Sequence, residues 1–307
     1  MQRIIYGLIT LWLIISVTFF LLQFMPGSPF NDDKLTPEQV QILKEKYGLA
    51  DPLPVQYVRY MSNVVTGDFG VSFKYDKQDV FQKLIMPRLP ITVQVGSQAM
   101  IVGTLVGIFL GAVAALYRGK FWDNFVTVIA IIGVSVPSFV FAMLLQYYAG
   151  VKVQLLPIVY QEGVWYSTMA PAIAMALGII ASTSRFMRTE LVEVLASDYI
   201  LLAKAKGLTR PQIIYRHAIR NALVPVITIL GPITIGVLTG STVMEQIFGI
   251  PGVSYLMVQG IMQNDYFVIL GVATFYSVLF IAVILIVDLL YGVIDPRIRL
   301  AGGGGGH

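Results

Sequence analysis

The sequence predicts an all-α polytopic membrane protein with six transmembrane helices, and three observations carry that prediction. Of 307 residues, 56% are apolar and 12% charged, where a soluble globular chain carries about 25% charged residues. Six apolar stretches, most of them close to the ~20 residues that cross a bilayer, hold no Asp, Glu, Lys, Arg or His. The basic residues of the short connections fall on alternate sides of those stretches, as the positive-inside rule requires of a multi-pass protein. There is no cysteine, which excludes disulfides, thiolate metal sites and a cysteine nucleophile.

Ile4 to Met25 is the first span. Arg3 before it and PGSP at Pro26 to Pro29 after it imitate a signal peptide, but a signal h-region has only about 7 to 15 residues, so a retained helix is expected. Residues 26–90 form a polar segment with the start and stop signals of small amphipathic helices. Thr36, Pro37 and Gln39 supply a cap, a first-turn proline and a capping-box partner, Val40, Leu43 and Tyr47 share one face, and Gly48 ends the helix. A second helix is expected from about Pro54 to Thr66.

Ile91 to Tyr117 is the second span, and Gly103, Gly107 and Gly111, four residues apart, let a neighbouring helix pack closely. Phe125 to Val151 is the third, interrupted at Pro137, where the freed backbone groups need protein or a wet cavity. A short outer loop, Val153 to Ser167, leads to a fourth and shorter span, Thr168 to Thr183, containing Pro171. Leu223 to Met244 is the fifth, with Pro225, Pro232 and a run of hydroxyls. The turn-rich Glu245 to Asp265 and a sixth span, Phe267 to Val287, follow; Glu245 and Asp288 read as interfacial charges at span ends. Residues 91–300 thus form a five-helix core, and the AGGGGGH of residues 301–307 reads as a linker running into a purification tag.

Between the fourth and fifth spans the chain turns polar, and residues 185–222 carry seven basic residues: Arg185, Arg188, Lys204, Lys206, Arg210, Arg216 and Arg220. A polar run of that length between apolar spans is a docking surface. Ser197 is placed to cap a short helix beginning at Asp198, with Tyr199, Leu202, Ala203 and Lys206 on one face and Gly207 as its left-handed end. Small residues at Ala203, Ala205 and Gly207 allow close approach of another protein, with Lys204 and Arg210 beside them. Thr209 and Gln212 form a capping-box pair for a second helix, Pro211 in its first turn, running to Asn221. With both termini inside, Arg3, Arg118, Lys120, this loop, Arg297 and Arg299 lie on the cytoplasmic side, and the short outer loops hold only Lys152.

The uncharged spans disfavour an ion-coupled carrier, which needs an ionisable group in the membrane. No GxxxxGK[ST] string is present, so this chain encodes no ATP site of its own, and no acid–base or metal set suggests an enzyme. His217 has no second histidine near it in the sequence for a metal site. Gln94, Ser97 and Gln98, Gln146 and Tyr147, and Thr228, Thr234 and Thr239 are polar without charge. A wet translocation path favours such residues, and so do hydrogen bonds between helices.

AKAKGL at Ala203 to Leu208 followed by RHAIRNALVP at Arg216 to Pro225 resembles the EAA loop of ABC importer permeases, in the form found in oligopeptide and dipeptide permeases. Where the general motif has Glu-Ala-Ala this chain has Leu201, Leu202 and Ala203, so only the last Ala and the Gly agree. YGLADPLPVQYVRY at Tyr47 to Tyr60, GDFGVSF at Gly67 to Phe73, EQIFGIPGV at Glu245 to Val253 and the terminal DPRIRL are similar to the same family. The resemblance implies the fold of a type I ABC importer permease, with an EAA-type coupling loop, and a non-catalytic subunit that moves oligopeptides across the cytoplasmic membrane of a prokaryote. It implies a second, related permease as heterodimer partner, two cytoplasmic ATPases that bind ATP and Mg, and an extracytoplasmic peptide-binding protein. That last partner gives the polar segment 26–90 a second reading beside that of a solvated cap. Membrane lipid is the remaining partner, and nucleic acid is not one. Permeases of the family for dipeptides, glutathione or nickel and other metal chelates are alternatives, and a stand-alone channel or carrier is the alternative of a different class.

Overall fold

The computed structural model describes residues 2–26, 30 and 35–294, the side chains of residues 2, 3, 238–240 and 288–294 excepted. The Arg3, Thr239 and Asp288 side chains, most of PGSP, Arg297, Arg299, DPRIRL and AGGGGGH lie outside the described residues. The described residues are helical apart from turns and one isolated bridge, Val71 to Asp79. Five helices are long and apolar enough to cross a membrane: Ile4–Gln23, Val80–Leu116, Trp165–Leu195, Arg210–Val237 and Tyr266–Val287. A sixth crossing results if α5 (Phe121–Ser135) and the helix Ser138–Lys152 that follows it count as one broken span. The chain bends there by 102°, at the proline where the sequence predicts an interruption. Pro137 donates no hydrogen bond to the preceding turn, and Val136, restricted as the residue before a proline, is extended (φ −83°, ψ 119°).

The chain divides into two compact units. The first comprises Met1–Thr92 and Pro251–Ala282 and contains α1 (Gln2–Gln23), α2 (Pro37–Lys46), α3 (Leu53–Val65), α11 (Val253–Met262) and the beginning of α12 (Tyr266–Ile294). The capping box at Thr36 forms as expected: the Thr36 N–H donates to Gln39 Oε1 at 2.9 Å and the Gln39 N–H to Thr36 Oγ1 at 3.3 Å. Gly48 takes the left-handed conformation (φ +67°) after α2. One core gathers Phe69, Val80, Leu84, Val253, Leu256 and Val272, and another Ile15, Phe19, Leu22, Tyr60 and Leu270. Asp265 is fully buried at the start of α12, accepting from Ser72 Oγ, from the Phe73 N–H at 3.0 Å and from the Lys74 N–H at 3.2 Å. That carboxylate fastens the loop 72–74 to the helix. Burial pushes the Tyr60 phenol up to about 12, against the partial relief of its hydrogen bond with Thr274.

The second unit comprises Val93–Ile250 and Val283–His307. Its centre is α7 (Met169–Leu195), which packs against α5, α6 (Ser138–Leu145) and α10 (Ile219–Phe248). Ala170, Ala172, Ala174, Ala176 and Ala181 are all buried on α7, so its neighbours approach close to backbone distance. The seam of glycines on α4 (Met86–Leu116) faces the same helix. A Cβ at Gly103 would lie 2.6 Å from Ile179 Cβ, one at Gly107 2.7 Å from Thr183 Cβ, and one at Gly111 2.5 Å from the Ser184 carbonyl oxygen.

Several helices run past the bounds read from the sequence, and two of these extensions bury residues that the sequence reading placed outside the spans. The fourth span does not stop at Thr183, because Met187 and Leu191, four residues apart and fully buried, carry α7 on to Leu195. α10 likewise continues past Met244 to Phe248, and Glu245, read as an interfacial charge, is fully buried inside it beside Ser241, whose Oγ donates to Glu245 Oε1 at 3.3 Å.

Candidate partner-docking site

Between the long helices α7 and α10 the chain makes a short excursion built from local signals. Ala196 and Ser197 leave α7, and α8 (Asp198–Ala205) begins with Asp198 at its positive end. Ser197 occupies the cap position with extended backbone, but its Oγ donates back to the Val194 carbonyl at 2.6 Å, so its side chain does not cap α8 as expected. Gly207 is left-handed (φ +79°), and the Gly207 N–H donates to the Lys204 carbonyl at 3.0 Å, closing the helix as predicted. The Thr209 N–H donates to Gln212 Oε1 at 2.9 Å, the predicted pairing. α9 (Arg210–Gln212) and a wider π-type turn, Ile213–Ala218, then lead into α10 without a break, so the second helix of the loop is the start of the fifth span.

What holds α8 in place is a nearly continuous apolar base. Ile200 and Ala203 are buried with Ala115, Met187, Leu191, Ile213, Ala218 and Ala222, and Leu116, Leu195 and Leu208 pack against them. Of the face expected at Tyr199, Leu202, Ala203 and Lys206, only Ala203 is buried. Ile200 is its true partner one turn earlier, and Tyr199, Leu201 and Leu202 stay 42%, 65% and 56% exposed. An isolated helix of 8 residues is not stable in water by propensity, so α8 owes its order to Ile200 and Ala203. The Asn221 amide adds a hydrogen bond to the Tyr199 hydroxyl at 3.1 Å. Lys204, Ala205, Lys206, Gly207 and Arg210 are exposed, and Gly207 faces open space, with nothing within 4 Å of where a Cβ would stand. The product is a short helix with Ile200 and Ala203 buried on one side and an exposed apolar and cationic surface on the other.

Of the seven basic residues read as docking groups, Arg188 has a different role. Its Nε and Nη2 hold Asp123 Oδ1 and Oδ2 at 2.5 and 2.8 Å, and the Gly119 N–H donates to Asp123 Oδ2 at 2.8 Å. Asp123 is only 3% exposed, so this bidentate pair locks the first turn of α5 to α7, with Arg188 ahead of the start of α8 by about three turns. Sequence reasoning passed over Asp123; the signal was an acid at the head of an apolar span, with Arg185 and Arg188 available on α7.

The uncharged polar residues do not converge into one cluster of hydrogen bonds. Gln94 donates to Thr168 Oγ1 at 3.3 Å, the Ser97 hydroxyl donates to the Gln94 carbonyl at 3.0 Å, and Gln98 Oε1 is buried with no partner among the described residues. The Gln146 amide is committed to the Ile158 and Ile247 carbonyls at 2.6 and 3.3 Å, while Tyr147 is exposed with the Lys152 ammonium 5.6 Å from its ring centre. Thr228 and Thr234 donate to the carbonyls four residues back, at 3.1 and 2.7 Å. Among the described residues no group of three His, Cys, Asp or Glu is placed to hold a metal ion.

Helices of this length and apolarity define a multi-pass membrane protein, with a short, partly exposed helix between two of its long helices. Residues 107–300 match the family described as binding-protein-dependent transport system inner membrane component, and residues 1–96 its N-terminal counterpart; the chain belongs to this family. It is 42% identical over 300 residues to the dipeptide transport system permease protein DppB of Lactococcus lactis, covering 98% of each chain. It is 38% identical over 305 residues to the oligopeptide transport system permease protein OppB of Salmonella typhimurium, covering 97% of this chain and 98% of the other. Among solved structures it resembles the MetNI methionine ABC transporter in its inward-facing conformations, with a TM-score of 0.56 and 15% identity over 71% of this chain and 99% of that one. It also resembles an amino acid ABC transporter crystallised with histidines, with the same TM-score of 0.56, 17% identity, and 69% and 94% coverage. At those identities the two structures speak to the fold alone.

Proposed function

We propose that this chain is the permease subunit of an ATP-driven importer of short peptides, oligopeptides first and dipeptides second. In this reading the chain crosses the membrane six times, with both termini in the cytoplasm, residues 26–90 on the outer side, and an EAA-type coupling loop at residues 185–222 on the inner side; the basic residues of the short connections support that orientation. α8 is the coupling element, with Asp198, Tyr199, Leu202, Lys204, Ala205, Lys206, Gly207 and Arg210 toward an ATPase and Ala203 toward the bundle. The observation that carries this reading is the division of α8: Ile200 and Ala203 are buried in the bundle while Tyr199, Leu201 and Leu202 stay exposed. A helix fastened on one side and apolar on the other transmits a push from a partner to α7 and α10 as a rigid body. The partners are a second permease, two ATPases that supply ATP and Mg, and an external peptide-binding protein, in the cytoplasmic membrane of a prokaryote. The polar residues Gln94, Ser97, Gln98, Gln146, Tyr147, Thr228, Thr234 and Thr239 are assigned to the path.

The test is to purify the chain with its partners and measure peptide uptake into vesicles with and without ATP and with a proton uncoupler. Uptake that needs ATP and survives the uncoupler supports the proposal. Uptake that persists without ATP and collapses with the uncoupler defeats it, in line with the need of ion-coupled carriers for an intramembrane ionisable group.

A further inference from the structure

The first unit contains a cavity that the transport reading does not use. It has a volume of about 280 Å³ and lies where the end of α1 meets α2, α3 and the start of α12. Its floor is apolar, from Phe19, Leu22, Phe267 and Leu270, and its rim carries Lys46, Arg59 and Asp68. The guanidinium of Arg59 is held in place: Nη2 binds Asp51 Oδ2 at 2.5 Å, and the group fills the space that Gly48 leaves, where a Cβ would stand 1.8 Å from Nη1. An arginine so anchored keeps further N–H donors in a fixed fork for an anion. Asp68 spends Oδ1 on the Gly70 N–H at 2.8 Å.

Leu22 also lines a second hollow of about 310 Å³, an apolar groove formed by Leu21, Phe24, Met25, Ile261 and Ile269. α1 passes the length and apolarity test for a membrane span, and Leu21 on it and Phe24 just past its end are 62% and 83% exposed, so this groove lies on a surface suited to lipid. A charged cavity and an apolar groove separated by one leucine match an amphiphile with an anionic head, a cationic amine and a hydrocarbon tail. We propose that this site binds one phosphatidylethanolamine from the adjoining leaflet, its phosphate on Lys46 and Arg59, its ammonium on Asp68 and one acyl chain in the groove past Leu22. Charge complementarity selects the head, and the groove separates a lipid from a soluble phosphate.

The full chain in detergent, titrated with dioleoyl-phosphatidylethanolamine and read by native mass spectrometry, tests this independently of transport. One lipid should be retained. Retention should weaken by about tenfold in K46Q/R59Q, the loss expected when charge-assisted hydrogen bonds to a phosphate are removed. It should also weaken in L21W, which fills the groove from an exposed position, and in K46Q alone, which leaves the packing of Arg59 on Gly48 intact. Unchanged retention in K46Q/R59Q and L21W would overturn the proposal. So would displacement of the lipid by glycerophosphoethanolamine at equal concentration, which would make the cavity a headgroup site, or by trialanine, which would assign it to the transported substrate.

Discussion

Gly111→Ala and Gly178→Ala make the same chemical change on two facing helices, and their effects should have opposite signs. At Gly111 the new methyl would stand 2.5 Å from the Ser184 carbonyl oxygen and 2.7 Å from Met187 Cβ, whereas ordinary contact begins near 3.4 Å. The nearest atom is backbone, so no rotamer relieves the clash, and α4 and α7 must part by most of an ångström. Overpacking of that kind costs about 1–3 kcal/mol, and the gain of alanine over glycine in a helix returns about 0.5–1 kcal/mol. A net loss of up to about 2.5 kcal/mol follows. At Gly178 on α7 nothing lies within 4 Å of the new methyl, so only the gain of about 0.5–1 kcal/mol applies. Thermal unfolding of the purified chain in detergent, followed by circular dichroism, should therefore place Gly111→Ala below the wild type and Gly178→Ala at or above it. Equal midpoints for the two variants would show that α4 and α7 are not packed backbone to backbone, and the reasoning from the glycine seam would fail.

Asp123→Asn and Arg188→Gln should each lower the unfolding midpoint, because either strands the other partner of a largely buried bidentate pair, at about 3–5 kcal/mol where burial is complete and less here. The double variant should be no less stable than the worse single one; additive losses would contradict the pairing. Single cysteines at Ser62, Gln161 and Thr209, in a chain without native cysteine, should react with an impermeant thiol reagent in intact cells at the first two positions only. Strong labelling at Thr209 would reverse the orientation. Gly207→Val forces a β-branched residue to φ +79° but meets no neighbour within 4 Å. It should strain the end of α8 by about 1–2 kcal/mol, leaving insertion intact and reducing peptide-stimulated ATP hydrolysis by the purified complex; undiminished stimulation would free Gly207 of its role.

Features governed by local chemistry could be read from the chain. Gly103, Gly107 and Gly111 announce close packing by their spacing, Pro137 announces a break, Thr36 with Gln39 and Thr209 with Gln212 announce helix starts, and Gly207 announces a stop. The extent of α7 was misjudged because Arg185, Arg188, Glu190 and Glu193 looked like loop composition, although Met187, Leu191 and Leu195 keep helical spacing through them. The exposed face of α8 was misassigned for a related reason: in a helix of two turns Ile200 and Tyr199 are equal candidates for burial, and only the surface it lands on decides. Asp123 with Arg188, and Asp265 with Ser72, join residues 65 and 193 positions apart, and no local signal announces which partner the fold will bring.

The claim that α8 carries the push from ATPase to bundle is tested most directly on its exposed face, where substitution leaves the buried contacts of Ile200 and Ala203 in place. Leu201→Glu with Leu202→Glu, in the complete transporter reconstituted in proteoliposomes, should leave the chain folded and abolish both peptide-stimulated ATP hydrolysis and peptide uptake. If the doubly substituted complex assembles, hydrolyses ATP under peptide stimulation and imports peptide as the wild type does, α8 is not the coupling element.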